Sequence, residues 1–193
     1  MMRETIKNTF LGASLLLAGL ALLLASRAQK PKKAKPVRNF DLRRYMGTWY
    51  EIARFDYRFE KNMDNVMAQY HLNQAGNVQV RNSGYNQQKR AWRSAKGIAK
   101  FRGNPQLGAL KVSFFGPFYA GYNVIAIDSA YQYALVAGRS LDYLWILSRK
   151  KTIPETIKNR YLKMANAIGY DTTKLIWVKH DKKSPFEKAA SSG

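Results

Sequence analysis

The chain contains no cysteine among its 193 residues. This absence excludes disulfides, thiol nucleophiles and iron–sulfur clusters, and it argues against lipid attachment through an N-terminal cysteine. Histidine is also scarce, since only His71 and His180 are present, so we expect no metal and no cofactor. Neither histidine accompanies a nucleophile in a Gly-x-Ser-x-Gly context, and the sequence therefore predicts a protein that is not an enzyme.

Acidic residues are few: 12 Asp and Glu stand against 33 Lys and Arg, a formal net charge of +21. Residues 39–180 alone hold 22 basic and nine acidic residues. Such a surface attracts nucleic acid, an anionic membrane or an anionic ligand. No recognised nucleic-acid motif occurs, so nucleic acid is not a predicted partner. The alternative function left open is a basic protein that binds anionic membrane or nucleic acid without a specific ligand.

The N-terminal segment differs in composition from the rest of the chain. Two basic residues precede an uninterrupted apolar run from Phe10 to Ala25, and Ser26–Ala28 forms a small-x-small site. The run is short for a spanning helix and typical of a secretory signal, so residues 1–28 are predicted to be a signal peptide or an uncleaved anchor. Residues 29–38 form a basic Lys/Pro tether. We expect export to the cell envelope, in the periplasm or at a membrane, although the basic charges after the apolar run favour cytoplasmic retention.

The body of the chain shows period-two alternation of apolar and polar residues, interrupted by turn residues about every ten positions. Each interruption contains Gly, Pro, Asn, Asp or Ser, or polar residues that suit a solvated turn. The predicted strands are 47–57, 65–72, 77–85, 91–101, 107–115, 120–128, 131–137 and 142–149. Eight strands without an intervening helix indicate an antiparallel meander, and eight is a number that closes into a barrel with room for one small ligand.

One helix is predicted after the eighth strand. Pro154 suits a first helical turn, Ile157, Tyr161, Met164 and Ile168 repeat at helical spacing, and Gly169 supplies a stop. We interpret the apolar stripe as a face that packs outside the barrel. A short edge strand follows at residues 175–178. Residues 39–180 form the predicted barrel domain, and the polar residues 181–193 form a tail that we expect to be flexible.

Three segments resemble the signatures of the lipocalins, and in particular of the bacterial lipocalins related to apolipoprotein D. Residues 39–50, with Gly47-Thr48-Trp49, are similar to the first signature; residues 122–128 are similar to the second; Trp145-Ile146-Leu147-Ser148-Arg149 is similar to the third. The order and spacing match from about residue 40 to residue 179. The resemblance implies an all-β, eight-stranded antiparallel up-and-down barrel with one external helix and a final short strand.

Strand polarity assigns roles to the two barrel ends. In an eight-strand meander the start of the first strand and the end of the eighth lie at the same end, so Arg149 is expected to stack on Trp49 and close the base. Gly47 and Asp128 belong to the same predicted base. The loops after strands one, three, five and seven share the open end, and they carry the five basic residues of a predicted rim. These rim residues are Arg58, Lys61, Lys89, Arg90 and Arg139.

An apolar cup with a basic rim suits an amphiphile whose acyl chain lies inside and whose anionic head lies at the mouth. The predicted cup residues are Val66, Ala68, Tyr70, Leu72, Trp92, Phe114, Tyr122, Tyr133 and Trp145. The resemblance implies a lipid-binding carrier for a fatty acid or a lysophospholipid. The expected partners are this ligand and an envelope membrane surface, and the sequence leaves a homodimer open.

Overall fold

A computed structural model describes residues 34–56, 61–74 and 76–187. The predicted signal or anchor (1–28), part of the tether and residues 188–193 lie outside the described residues. A four-residue helix, α1, precedes the first strand, and a longer helix, α2, follows the eighth. The elements are α1 Leu42–Tyr45, β1 Gly47–Phe55, β2 Met63–Leu72, β3 Val78–Asn86, β4 Ala91–Phe101, β5 Ala109–Phe115, β6 Phe118–Ile127, β7 Tyr133–Ala137, β8 Leu144–Ser148, α2 Glu155–Ile168, a 3-10 turn Thr172–Lys174 and β9 Leu175–Trp177.

The eight strands form a closed antiparallel barrel, as the sequence predicted. Each strand pairs with the next, and β1 closes the circle because it pairs with both β8 and β2. The pairing of β1 with β2 covers only Gly47–Tyr50, whereas the later residues Ala53–Phe55 pair with β9. Towards the open end, the C-terminal segment therefore stands beside β1 where β2 would otherwise continue.

Helix α2 packs against the outer wall of the barrel. Its side chains Tyr161 and Ala165 are buried in an apolar cluster with Leu135, Leu144 and Ile146 from β7 and β8. The Tyr161 hydroxyl also donates to the carbonyl of Tyr133 at 2.9 Å. The helix ends at Gly169, whose φ of 111° gives the left-handed cap that glycine favours. Within the described part of the chain, no helix is long and apolar enough to cross a membrane.

The C-terminal segment differs from the sequence-based expectation of a flexible tail beginning at Asp181. Residues 178–187, here called the strap, lie across the outer face of β1, β2 and β3. The strap is joined to β2 by hydrogen bonds from the Asn65 amide to the Lys179 carbonyl (2.8 Å), from Asn65 Nδ2 to Asp181 (3.0 Å) and from Gln69 Nε2 to the Phe186 carbonyl (3.1 Å). The polar composition of the strap does not predict these contacts, because most of them use backbone and carboxamide groups.

Candidate ligand-binding cup

The base of the barrel is closed by Trp49 and Arg149. Trp49 is 0% exposed, its indole N–H donates to the Tyr45 carbonyl at 2.8 Å, and the Arg149 guanidinium carbon lies 3.9 Å from the centre of its ring. Arg149 donates further hydrogen bonds to the carbonyls of Thr48 (2.9 Å) and Arg44 (2.8 Å). The stacking expected from strand order is present, and the arginine ties α1 to β1 and β8.

Two further predicted base residues shape the backbone there. Gly47 has a φ of +94°, and a Cβ at this position would lie 3.4 Å from a guanidinium nitrogen of Arg149. The Asp128 carboxylate accepts from the backbone N–H groups of Gln132 (2.7 Å) and Tyr133 (2.6 Å), which fixes the β6–β7 turn. Both residues therefore hold the closed end in shape rather than bordering the cavity.

A cavity of about 70 Å³ lies inside the barrel. Five of the nine predicted cup residues line it: Ala68, Tyr70, Phe114, Tyr122 and Trp145. Pockets for drug-sized ligands usually measure about 300–1,000 Å³. The cavity is therefore smaller than such a pocket.

Four predicted cup residues lie elsewhere. Trp92 points outward, because its ring packs against Tyr85 and against Phe186 of the strap. Tyr133 packs in the outer cluster beneath α2. Leu72 lies at the closed end beside Phe40 and Leu42, and Val66 packs against Gly84 outside the cavity. These assignments were wrong for Trp92 and Tyr133 because the sequence does not reveal which of a strand's two faces turns inward.

Three tyrosine hydroxyls meet at the inner end of the cup. The Tyr70 hydroxyl donates to the Tyr122 hydroxyl at 3.0 Å, and the Tyr45 and Tyr122 hydroxyls are 2.6 Å apart. Burial raises the pKa of Tyr70 to about 12 and raises the pKa values of Tyr45 and Tyr122 well above 10.0. All three hydroxyls are therefore neutral, and the base of the cup offers hydrogen-bonding groups without charge.

Sequence reasoning missed a buried ion pair beside the cavity. Glu51 lines the cavity, and Arg54 Nη1 donates to its carboxylate at 2.9 Å while Nη2 donates to the Met63 carbonyl at 2.9 Å. Residues three apart face opposite sides of a regular strand. A bulge between Glu51 and Ala53 brings the side chains of Glu51 and Arg54 together, and no feature of the sequence predicts that bulge.

Two more polar residues of the inner wall were missed, Asn82 and Arg93. Asn82 lines the cavity from β3. Arg93 faces inward because it shares the face of β4 that carries Gly97, against Phe114, and Ala99 in the core. Its Nε atom is buried and has no hydrogen-bond partner among the described residues. Period-two alternation could have identified Arg93, since an inward arginine interrupts an otherwise small-residue face.

Four of the five predicted rim residues are described, and Arg58 lies outside the described residues. Lys61, Lys89, Arg90 and Arg139 are all exposed at the open end. The backbone N–H of Gln87 donates to the backbone carbonyl of Asn62 at 2.9 Å and joins the β3–β4 loop to the β1–β2 loop. This contact brings Lys61 near the β3–β4 loop, which carries Lys89 and Arg90. Acids also lie at this end: Asp56 is exposed directly after β1, and Asp64 and Asp142 each accept a hydrogen bond from a loop side chain.

Arg139 has a defined position at the mouth of the cup. A Cβ on Gly121, a cavity-lining residue of β6, would lie 2.5 Å from Arg139 Cγ. The missing side chain of Gly121 thus makes room for the arginine stem, whose guanidinium remains exposed. Within the described residues, no group of three or more His, Asp or Glu side chains could hold a metal ion.

The described residues form a closed antiparallel barrel with an external helix, a base sealed by a Trp–Arg stack and an internal cavity. These features define a ligand-binding protein of the up-and-down barrel class. Residues 40–180 match the family model of the lipocalin-like domain. The chain is 51% identical to the outer membrane lipoprotein Blc of Citrobacter freundii, over 84% of this chain and 92% of that protein. It is 34% identical to apolipoprotein D of Mus musculus, over 71% and 75%.

The chain belongs to the lipocalin family. A solved structure with the same fold is insecticyanin from Manduca sexta, with a TM-score of 0.63 at 22% identity over 84% of this chain and 89% of that one. Lipocalins are generally binding or carrier proteins rather than enzymes, and the fold and relatives support a carrier of lipid or another small hydrophobic ligand.

Proposed function

We propose that this lipocalin carries a fatty acid or a lysophospholipid in the cell envelope, for storage or transport of membrane lipids. The observation that carries this proposal is the pairing of an internal cavity, whose lining includes Ala68, Phe114 and Trp145, with exposed basic side chains at the open end of the barrel. The acyl chain occupies the barrel axis, where burial removes its apolar surface from water. The anionic head remains at the rim, where Lys and Arg bind carboxylate or phosphate.

The envelope location rests on two supports. The predicted apolar run and small-x-small site at the N-terminus are typical of an export signal. The relative from Citrobacter freundii is named an outer membrane lipoprotein. Because the sequence contains no cysteine, we propose a membrane association that does not use a lipidated cysteine.

The ligand class can be tested directly by native mass spectrometry of protein purified from its own cells. A co-purified lipid is identified by its mass, and the proposal expects a fatty acid or a lysophospholipid at a stoichiometry of one per barrel. A ligand without an acyl chain would contradict the proposal. Delipidated protein titrated with a fluorescent fatty acid and, separately, used in a DNA mobility shift distinguishes a lipid carrier from a nucleic-acid-binding protein.

The role of the rim is tested by neutralising Lys89, Arg90 and Arg139 together to Gln. Single exposed charges contribute little, so the test is collective. Affinity for a lysophospholipid or fatty acid should fall by roughly ten-fold, whereas affinity for a monoacylglycerol of equal chain length should hardly change.

The matched control neutralises three exposed lysines on the side of the molecule: Lys96, Lys100 and Lys163. This variant removes the same charge without touching the mouth. Equal losses from the rim and control variants would show that the basic surface acts only as a diffuse field. Equal losses for the charged and uncharged lipids would remove the head group from the proposal.

A membrane surface is the proposed partner from which the ligand is collected. Phe118, at the start of β6 and at the open end, is 51% exposed. Arg139, which follows β7, lies against Gly121 of β6. An exposed aromatic ring at the same end as exposed cations fits an anionic bilayer, because the ring enters the interface while the cations meet lipid head groups. This orientation places the mouth of the cup against the source of its ligand.

A further inference from the structure

The inner wall of the cup carries a polar atom that a plain acyl chain would leave without a partner. Asn82 lines the cavity, and its Oδ1 atom is buried with no hydrogen-bond partner among the described residues. Buried polar atoms are rarely left in this state, and each such atom calls for an explanation. A carboxamide offers a donor at one end and an acceptor at the other, so a hydroxyl group can pair with Asn82 in either orientation of the amide.

The tyrosine cluster supplies the second half of such a site. Tyr45, Tyr70 and Tyr122 carry three hydroxyl protons between them, but only two contacts join their oxygens. Tyr45 is fully buried, and among the described residues only Tyr122 Oη lies within hydrogen-bond distance of its hydroxyl. If Tyr45 donates to Tyr122, the hydroxyl protons of Tyr45 and Tyr70 are both used, and the proton of Tyr122 is the one left over in this cluster. Because Tyr122 lines the cavity, that proton is available to a ligand.

We propose that the inner end of the cup binds a neutral hydroxyl group at the far end of an acyl chain, which accepts from Tyr122 and donates to Asn82. This inference rests on the proposed function and names a ligand class within it: fatty acids with a hydroxyl at or near the ω end. The carboxylate of such a ligand stays at the basic rim, and the hydroxyl meets the two unused polar groups inside the barrel.

The cup should bind an ω-hydroxy fatty acid more tightly than the parent fatty acid, whereas a wholly apolar cup would show the opposite order of affinities. Burying a hydroxyl without partners is unfavourable, so a wholly apolar cup binds an ω-hydroxy acid more weakly than its parent acid. A cup with a matched donor and acceptor satisfies the hydroxyl and also satisfies Asn82 and Tyr122. The hydroxy acid should then bind about ten-fold more tightly than the parent, which corresponds to about 1.4 kcal/mol.

The experiment compares fatty acids with their ω-hydroxy analogues by isothermal titration calorimetry on the full, delipidated chain. Pairs such as dodecanoate with 12-hydroxydodecanoate, and hexadecanoate with 16-hydroxyhexadecanoate, are compared at the chain length whose parent acid binds most tightly. Tighter binding of the hydroxy acid supports the inference. Equal or weaker binding overturns it, while the proposed function stands if the parent acid binds. If neither acid binds at any length, both proposals fail.

Two variants assign the effect to the named groups. Asn82→Leu keeps the side-chain size and removes its polar atoms, and it should make the hydroxy acid the weaker ligand of the pair. The double variant Tyr70→Phe/Tyr122→Phe should do the same, whereas Tyr70→Phe alone should keep the preference, because the proton of Tyr122 remains. Urea unfolding of each variant checks that the barrel is intact. An unchanged preference in both Asn82→Leu and the double variant would overturn the inference.

Discussion

At the base of the barrel, the side chains of Trp49 and Arg149 hold together α1, β1 and the end of β8. Trp49 is completely buried beneath the Arg149 guanidinium, and Arg149 in turn donates to carbonyls of α1 and β1. Burial lowers the pKa of Arg149, yet a guanidinium stays protonated at any physiological pH. The stack therefore combines a large buried aromatic surface with a permanent cation.

Replacing Trp49 by Ala should destabilise the fold without selectively abolishing ligand uptake. The substitution empties a fully buried aromatic site, for which a loss of about 3–5 kcal/mol in the free energy of unfolding is typical. Urea unfolding measures the loss, and titration at low temperature measures binding by the fraction that remains folded. A variant of unchanged stability that binds no lipid would show that Trp49 belongs to the binding site instead.

His180 makes the stability of the barrel depend on pH. Its Nε2 lies 2.9 Å from the Glu51 carbonyl, its ring packs edge-on against Tyr50, and burial lowers its pKa below the ordinary 6.5. The unfolded chain therefore binds a proton at His180 more readily than the folded chain does. Stability contributed by neutral His180 is present above pH 6.5 and is lost as the pH falls from 6.5 through the lower folded-state pKa.

His180→Gln should accordingly flatten the fall in stability between about pH 7 and pH 5. Unfolding free energies measured by urea titration across this range, for the native chain and the variant, give the two slopes. His71→Gln is the matched control, because His71 is the other histidine and is exposed on β2. If the slope disappears in the His71 variant instead, the pH dependence comes from His71, and the prediction for His180 is wrong.

At the scale of elements, the strap completes the outer surface of the barrel beside β1 and β2. Phe186 packs against Trp92, the Arg81 guanidinium carbon lies 5.7 Å from its ring centre, and Glu187 pairs with Lys151 at 2.8 Å. Met67 and Ser83 are buried on the face that the strap covers. The strap thus protects a sheet face that eight strands alone would leave exposed.

Truncation after His180 should lower the free energy of unfolding by about 1–3 kcal/mol, because it removes several hydrogen bonds and the packing of Phe186. The matched control is truncation after Glu187, which keeps every described contact of the strap and should leave stability unchanged. Urea unfolding compares the two, and amide hydrogen exchange should be faster in β2 and β3 of the shorter chain only. Equal stability of the two truncated chains would contradict a structural role for the strap.

The order of the elements could be predicted from the sequence because alternation and turn residues are local signals. The eight strands, α2 and β9 all appear within a few residues of their predicted positions. The orientation of particular side chains was less predictable, because the bulges between Glu51 and Ala53 and between Asp64 and Met67 depend on cross-strand pairing. The Glu51–Arg54 pair follows from the first of these bulges. The strap was missed because its hydrogen-bond partners on β2, Asn65 and Gln69, lie more than a hundred residues away in sequence.

At the scale of the whole molecule, positive charge is present at both ends of the barrel. The rim carries Lys61, Lys89, Arg90 and Arg139. The base carries Arg43 and Arg44 in α1, and the connections that begin there carry Arg102, Arg149, Lys150 and Lys151. Attraction to an anionic surface therefore does not by itself select the open end. In the proposed orientation the selecting feature is apolar, because Phe118 at the open end is the most exposed large hydrophobic side chain of the described residues.

Replacing Phe118 by Ser should weaken binding to anionic vesicles several-fold, because the exposed ring contributes apolar burial at the interface that electrostatic attraction does not replace. Co-sedimentation with vesicles of phosphatidylglycerol and phosphatidylcholine measures the change, and vesicles of phosphatidylcholine alone should bind neither protein strongly. The matched control is Ile98→Ser, which removes a side chain of similar exposure, 44%, from the outer side of β4. If both substitutions weaken binding equally, apolar contact is not specific to the open end; if neither does, binding depends on charge alone. Either result shows that the orientation with the mouth on the bilayer is wrong.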